Sequence, residues 1–255
     1  MKICTWNVNS LKVRLEHLKS WSQQTDQDVI CLQETKTMDD AFPVDPIIEA
    51  GYNVSFFGQK TYNGVAILAK GEIGDVVRGI PEYEDQQRRV IAASVNGVRI
   101  INLYVPNGQS VGSEKYQYKL EWFAHLKEFV RQEIEQHSKL VIVGDFNIAP
   151  EDIDVHDPEV WEGKILCSEP ERQQYRDLIA MGLIDAFRLF EQPERSFSWW
   201  DYRAAGFRRD LGLRIDLILI SEALRDSCSR CVIDKEPRKW ERPSDHTPVW
   251  AEFNL

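Results

Sequence analysis

Apolar runs of strand length recur along the chain: KICTW, DVICLQ, YNVSFF, GVAILAK, RVIAASV, VRIINLYV, KLVIVGD, RIDLILI and PVWAEF. β-Branched and aromatic residues dominate them, and Gly, Pro, Asn or Asp stands near many of their ends, the pattern of buried strands. Asn96-Gly97, between AASV and VRII, predicts a type I′ hairpin. Three segments carry a helical period instead. Leu11, Leu15, Leu18 and Trp21 stand three or four apart and predict a helix from about Leu11 to Gln24. Tyr116, Leu120, Phe123, Val130 and Ile134 predict a second helix after Ser113. In the third, Ser168 and Glu171 have capping-box spacing, Pro170 suits the first turn and Gly182 marks the stop. Frequent strands with few helices predict a largely antiparallel, two-sheet core with helices packed outside. Periodicity alone leaves α/β and α+β both open. No repeat, low-complexity tract or Gly/Ser/Pro-rich linker interrupts residues 1–255, so a single domain is expected.

Composition narrows the function. No run of about 20 apolar residues exists, so no membrane-spanning helix is expected. The opening MKICTWNVNS lacks the apolar core and cleavage site of a signal peptide. Five scattered cysteines, Cys4, Cys31, Cys167, Cys228 and Cys231, fit a reducing cytoplasm better than a disulfide framework. The formal net charge of −10 argues against a protein that holds nucleic acid by bulk charge. It leaves room for an enzyme with acids at a metal site and a few arginines along one surface.

The polar residues at the strand ends are the informative ones. VIVGDFN delivers Asp145 and Asn147 from an apolar run, which alone reads equally well as a turn. Five further cases accompany it: Asn7 and Asn9, Glu34, Tyr104 and Asn107, Asp216 within RIDLILI, and Asp245 with His246 before the last strand. Burying so many acids without partners is expensive. If the ends converge, a divalent cation is the simplest offset for four carboxylates. Oxygen donors, no cysteine and one histidine suggest Mg²⁺ or Mn²⁺ rather than zinc. Phosphoester cleavage is then the natural reaction class.

TWNVNS, CLQETK, YNGVAIL, NLYVPNG, GDFNIAP, GLRIDLIL and PSDHTPVW together resemble the exonuclease III branch of the endonuclease/exonuclease/phosphatase superfamily, from residue 3 to 253. The resemblance implies an α/β fold, a four-layer sandwich with two face-to-face mixed β-sheets flanked by helices. It implies a monomeric, cytoplasmic DNA repair nuclease acting on double-stranded DNA with 3′ ends, nicks or abasic sites. By the same resemblance Glu34 is the principal metal ligand with Asn7 near it, and Asp245 is a further ligand or a leaving-group partner. Asp145 orients or deprotonates water, and Asn147 holds Asp145 and a phosphate oxygen; both become ligands if a second ion binds. His246, oriented by Asp216, bonds a nonbridging oxygen, and Tyr104 faces the charge developing at phosphorus. The general base and the number of metals are left open.

The stretch FSWWDYRAAGFRRDLGLRID interleaves aromatics with Arg203, Arg208, Arg209 and Arg214, as a loop gripping a DNA backbone would. Lys12, Arg14, Arg89 and Asn107 are further candidate DNA contacts. The resemblance also implies an apolar pocket for a flipped, base-free sugar, at Leu166, Cys167, Leu213 and Ile215. Members strong in abasic-site incision carry a small residue followed by phenylalanine where Leu166 and Cys167 stand, so 3′-end processing is expected to outweigh incision here. Two rivals are a non-catalytic RNA-associated regulator of the same fold and a phosphodiesterase acting outside nucleic acids.

Overall fold

The computed structural model describes all 255 residues. In chain order the elements are β1 (Lys2–Asn7), α1 (Leu11–Thr25), β2 (Val29–Gln33), α2 (Val44–Glu49), β3 (Asn53–Phe57), β4 (Val65–Ala69), β5 (Gly74–Arg78), β6 (Val90–Val95), β7 (Val98–Tyr104), α3 (Glu114–Gln136) and β8 (Leu140–Asp145). Then follow α4 (Pro158–Trp161), α5 (Glu169–Ala180), β9 (Leu183–Asp185), β10 (Trp199–Trp200), β11 (Gly212–Leu213), β12 (Asp216–Ser221), β13 (Cys228–Ile233) and β14 (Val249–Phe253). Two six-stranded sheets result, in the orders β13-β14-β1-β2-β4-β3 and β5-β6-β7-β8-β12-β9. Both are mixed: β1 pairs β2 and β7 pairs β8 in parallel, and the other neighbours are antiparallel.

Alternation within the strands builds the layers. Ile3, Val29, Cys31 and Ile67 from the first sheet meet Ile91, Ile100, Val141, Val143 and Ile218 from the second in one central core. The intervening Cys4, Ile30, Leu32 and Leu68 face outward onto Leu11, Leu18 and Trp21 of α1 and Ile47 of α2. On the far side Ile101, Leu103, Ile142 and Leu217 pack beneath Trp122, Phe123 and Leu126 of α3 and Leu178 of α5. The result is the four-layer sandwich, largely antiparallel as expected, with one parallel pair in each sheet that makes both mixed. The parallel pairs arise because α1 and α3 carry the chain back over the sheet, which hairpin signals cannot reveal.

Local signals place the elements. Asn96 and Gly97 take φ of 50° and 78°, as the type I′ turn between β6 and β7 requires. Ser168 and Glu171 form the reciprocal capping box that starts α5. The edge strands β5, β9 and β13, and the two-stranded β10–β11 pair, are short or mixed in polarity and carry no clear apolar run.

Gly144 stands one residue before Asp145 in the parallel β7–β8 pair. A Cβ there would lie 1.8 Å from the carbonyl oxygen of Leu103, a backbone atom that the sheet holds in place. The Gly144→Ala variant should therefore lose at least about 3 kcal/mol of stability, because strands must separate to admit the methyl group. The urea midpoint will show this; a midpoint equal to that of the parent would refute the close approach.

Candidate active site

The ends of β1, β2, β7, β8 and β12 and the loop before β14 meet at one rim of the sandwich. The backbone there departs from regular geometry. Asn9, Glu34, Lys36 and Asn147 have φ of 42°, 50°, 52° and 48°, and Ser10 has 90°. Non-glycine residues seldom occupy this left-handed region, and such strain concentrates at functional sites. At Glu34 and Asn147 the turn comes where the strand has just ended, so the side chain swings across the rim instead of continuing the pleat.

The strand register brings acids face to face. Asp145 on β8 is the direct partner of Asp216 on β12, and Tyr104 on β7 is the partner of Asp145. Both aspartates are about 1% exposed. Into this pair reaches His246. Its Nδ1 donates to Asp216 Oδ2 at 2.9 Å and lies 3.1 Å from Oδ1, while its Nε2 is 3.6 Å from Asp145 Oδ2. Burial would strip the proton from the imidazole, but the charges of Asp216 and Asp145 overcome this and raise its pKa to about 10. Burial also pushes the Asp145 carboxyl up, to about 7, against the lowering pull of His246. Ser198 fixes the other side of Asp216: its hydroxyl donates to Oδ2 at 2.7 Å and accepts from the Ile215 and Asp216 amides.

Asn7 bridges the sheets. Its Nδ2 donates to Glu34 Oε1 (2.9 Å) and Asp145 Oδ2 (3.0 Å), and its Oδ1 accepts the Asn9 amide. Glu34, Asp145 and His246 offer ligand atoms that all lie within 4.8 Å of one another, a cluster that could hold a metal ion. Asp245 stands outside that cluster. Its two oxygens accept from Asn9 Nδ2 (2.9 Å) and Trp199 Nε1 (3.0 Å). Burial would raise its pKa, but His246 and these donors outweigh it and hold the carboxyl below the usual range. Lys36 joins the two acid groups, pairing with Glu34 Oε2 at 2.9 Å and donating to Asn9 Oδ1 at 2.5 Å.

Asn147 is held from both sides. Its amide donates to Asp145 Oδ1 (2.9 Å) and its Nδ2 to the Val105 carbonyl (2.9 Å), while its Oδ1 accepts from Asn107 Nδ2 (3.1 Å). Burial and the charge of Glu34 keep the Tyr104 proton on well above the ordinary phenol range, despite the nearby Arg89. Tyr104 is thus a donor rather than a phenolate.

The candidate DNA contacts divide. Arg203, Arg208 and Arg209 are exposed on the 201–210 loop, and Asn107 and Lys12 are exposed near the rim. Lys12 lines a cleft of about 480 Å³ with Lys36 and Lys60. Arg89 is turned inward instead: buried, it donates to Gln87 Oε1 and the Tyr104 carbonyl, and its guanidinium lies 4.6 Å over the Tyr104 ring. Arg14 donates to the Asn9 and Pro243 carbonyls and to Tyr202, tying three loops together. Arg214 is buried against Asp154 and Asp185, so it adds no charge to the loop surface. Alternation along a loop cannot separate such inward arginines from outward ones. The four pocket positions do come together: Leu166, Cys167, Leu213 and Ile215 form one apolar cluster with Ala149 and Val155, edged by Trp161, Ile165 and Trp199. Asn9 was expected at the converging strand ends without a role, whereas Lys36, Ser198 and Trp199 were not among the site residues predicted. The sequence signals available were the lysine of QETK and the polar end of TWNVNS.

A raised His246 pKa has a definite pH signature. The imidazolium contributes stability that is complete below the unfolded value of about 6.5 and disappears as pH climbs through about 10. In metal-free protein, ¹⁵N spectra of the His246 ring should show both nitrogens protonated at neutral pH, and Asp216→Asn should move the transition down. A neutral ring at pH 7 would contradict the geometry.

Comparison with known proteins agrees with this construction. Residues 4–246 match the model of the "Endonuclease/Exonuclease/phosphatase family". The chain is 38% identical to the exodeoxyribonuclease III of Haemophilus influenzae, covering 99% of this chain and all of that one. Among solved structures, a 3′–5′ exonuclease of Neisseria meningitidis superposes with a TM-score of 0.98 at 49% identity, each chain fully covered. An AP endonuclease of Archaeoglobus fulgidus superposes at 0.96 with 39% identity, again over both full chains. With its strand-end acids, its two mixed sheets and these full-length likenesses, the chain belongs to the endonuclease/exonuclease/phosphatase family, in its exonuclease III branch.

Proposed function

We propose that this protein is a Mg²⁺-dependent DNA repair nuclease that hydrolyses phosphodiesters and phosphate monoesters at the 3′ ends of duplex DNA, with abasic-site incision as the lesser activity. The observation that carries the reading is the convergence of Glu34, Asp145 and His246 within one ligand-sized space, beside a rim bearing three exposed arginines. The relatives support it: a 3′ phosphatase from Neisseria, 49% identical, was solved with a product DNA hairpin.

The donor set suits a hard cation. It offers carboxylate oxygens from Glu34 and Asp145 and no thiolate. Asn7 presents its amide donors to both acids, so it would need to turn its oxygen inward to act as a ligand. Bound Mg²⁺ would neutralise charge on the phosphate oxygens. This chain's own residues do the rest. Asp145, whose raised pKa suits a general base near neutrality, would accept a proton from the attacking water. Asn147 fixes that carboxylate through its backbone amide. The imidazolium of His246 and the phenol of Tyr104 would donate to nonbridging oxygens, where charge grows as the new P–O bond forms and the bond to the leaving oxygen breaks. Leu166 and Cys167 support the emphasis on 3′ ends, since Leu166 puts bulk where a small residue would suit a flipped sugar and Cys167 offers that sugar no aromatic face.

A 5′-labelled duplex with one internal abasic-site analogue tests the proposal. With Mg²⁺, a ladder growing from the 3′ end should dominate over the single internal cut, and EDTA should abolish both. Glu34→Gln should reduce kcat by about 10²–10³-fold. A dominant internal cut would reverse the order of activities, and the absence of any metal-dependent product would sink the nuclease reading.

A further inference from the structure

One buried ion pair lies outside the acid cluster and yet touches the Asn107 and Asn147 turns that border it and the wall beside them. Lys119 of α3 and Glu171 of α5 are both 0% exposed. The Lys119 ammonium donates to Glu171 Oε1, to the carbonyl of Asn147 at 2.6 Å and to the carbonyl of Asn107 at 3.3 Å. Its three protons therefore serve three different segments. Glu171 uses Oε2 for the capping box, accepting from the Ser168 amide and hydroxyl. The other oxygen, Oε1, takes Lys119 and the amide of Leu166 at 3.1 Å. Leu166 has φ of 71°, a conformation that leucine seldom adopts, and its own carbonyl accepts from Ala149.

Helix capping requires only Oε2, and a buried pair is poor value as a stabilising device, because well-packed apolar residues of similar volume often replace one at no loss. What the pair supplies is a fixed distance between the Asn147 turn and the Leu166–Cys167 wall. We infer that Lys119–Glu171 is a positioning pair of the active site, which locks the phosphate-binding turn and the sugar-facing wall in one register and so selects 3′-terminal substrates over internal base-free sugars. The inference rests on the nuclease reading above. It adds a cause for substrate choice that lies in neither the acids nor the wall itself: the wall is held shut from behind.

The double variant Lys119→Met/Glu171→Gln removes both charges while the glutamine retains a capping acceptor. Its Tm should stay within a few degrees of the parent. On a 3′-recessed duplex its kcat should fall about tenfold or more with KM changed far less, because displaced groups cost rate rather than binding. The ratio of internal abasic-site cutting to 3′-end cutting should rise about fivefold or more, as the released wall admits the sugar. Parental kcat and parental ratio in a stably folded double variant would overturn the inference, as would an activity loss that merely tracks Tm. Should the double variant fail to fold, Glu171→Asp, which keeps both charges and a capping carboxylate but shortens the reach to Lys119, gives the same two readouts. A parent enzyme without metal-dependent cleavage would overturn the nuclease reading and this inference with it.

Discussion

Two buried aspartates stand directly opposite each other in neighbouring strands, and the rest of the site depends on how that repulsion is met. Like charges at a cross-strand pair are destabilising in any sheet, and more so where water is excluded. His246 meets both, and it does so from the other sheet, on the loop that leads into β14. The imidazolium therefore has two effects at once. It offsets the Asp145–Asp216 pair, and it pins the two sheets together at the rim where chemistry is placed. Deeper in the interface the same logic is repeated without charge: Gln33 donates to Thr5 and Asn102, and Asn102 donates to the Leu32 and Ala66 carbonyls across the gap.

Rigidity follows from these links. Each reactive group is held by at least one partner that is itself held: Asp216 by Ser198, Asp145 by Asn7 and Asn147, Asp245 by Asn9 and Trp199. Such preorganisation is what stabilises charge in a transition state, since donors already in place need not reorganise. The left-handed backbone at Glu34 and Asn147 is tolerated because the strands behind them are fully buried. Glycine before Asp145 lets β8 approach β7 closely enough to put Tyr104 beside that carboxylate.

Much of this was legible in the residues. The central strands are long, apolar runs, so their periodicity located them, and polar residues at their ends stood out against that background. The third helix was readable down to its cap, because Ser168, Pro170 and Glu171 have local and specific jobs. What escaped was set by tertiary contact. β13 reads CSRCVI, half of it polar because it lies at a sheet edge, and β9 is only three residues long. Arg89 and Arg14 look like any basic surface residue until the fold turns them toward Tyr104 and Tyr202. Lys36 was equally silent, since its role exists only where Glu34 and Asn9 are brought together.

The positions of Asn7 and His246 in the chain carry a final consequence. The acids of the cluster are contributed by residues 34, 145 and 216, while the cation that makes their proximity tolerable comes thirty residues after the last of them. During synthesis the ribosome therefore emits every carboxylate before the imidazole, and β14, which pairs with β1, emerges later still. A nascent chain, or a fragment ending before residue 246, has neither the charge balance nor the sheet contacts to close the rim. The rim therefore closes only once the segment carrying residue 246 has joined the strands that precede it.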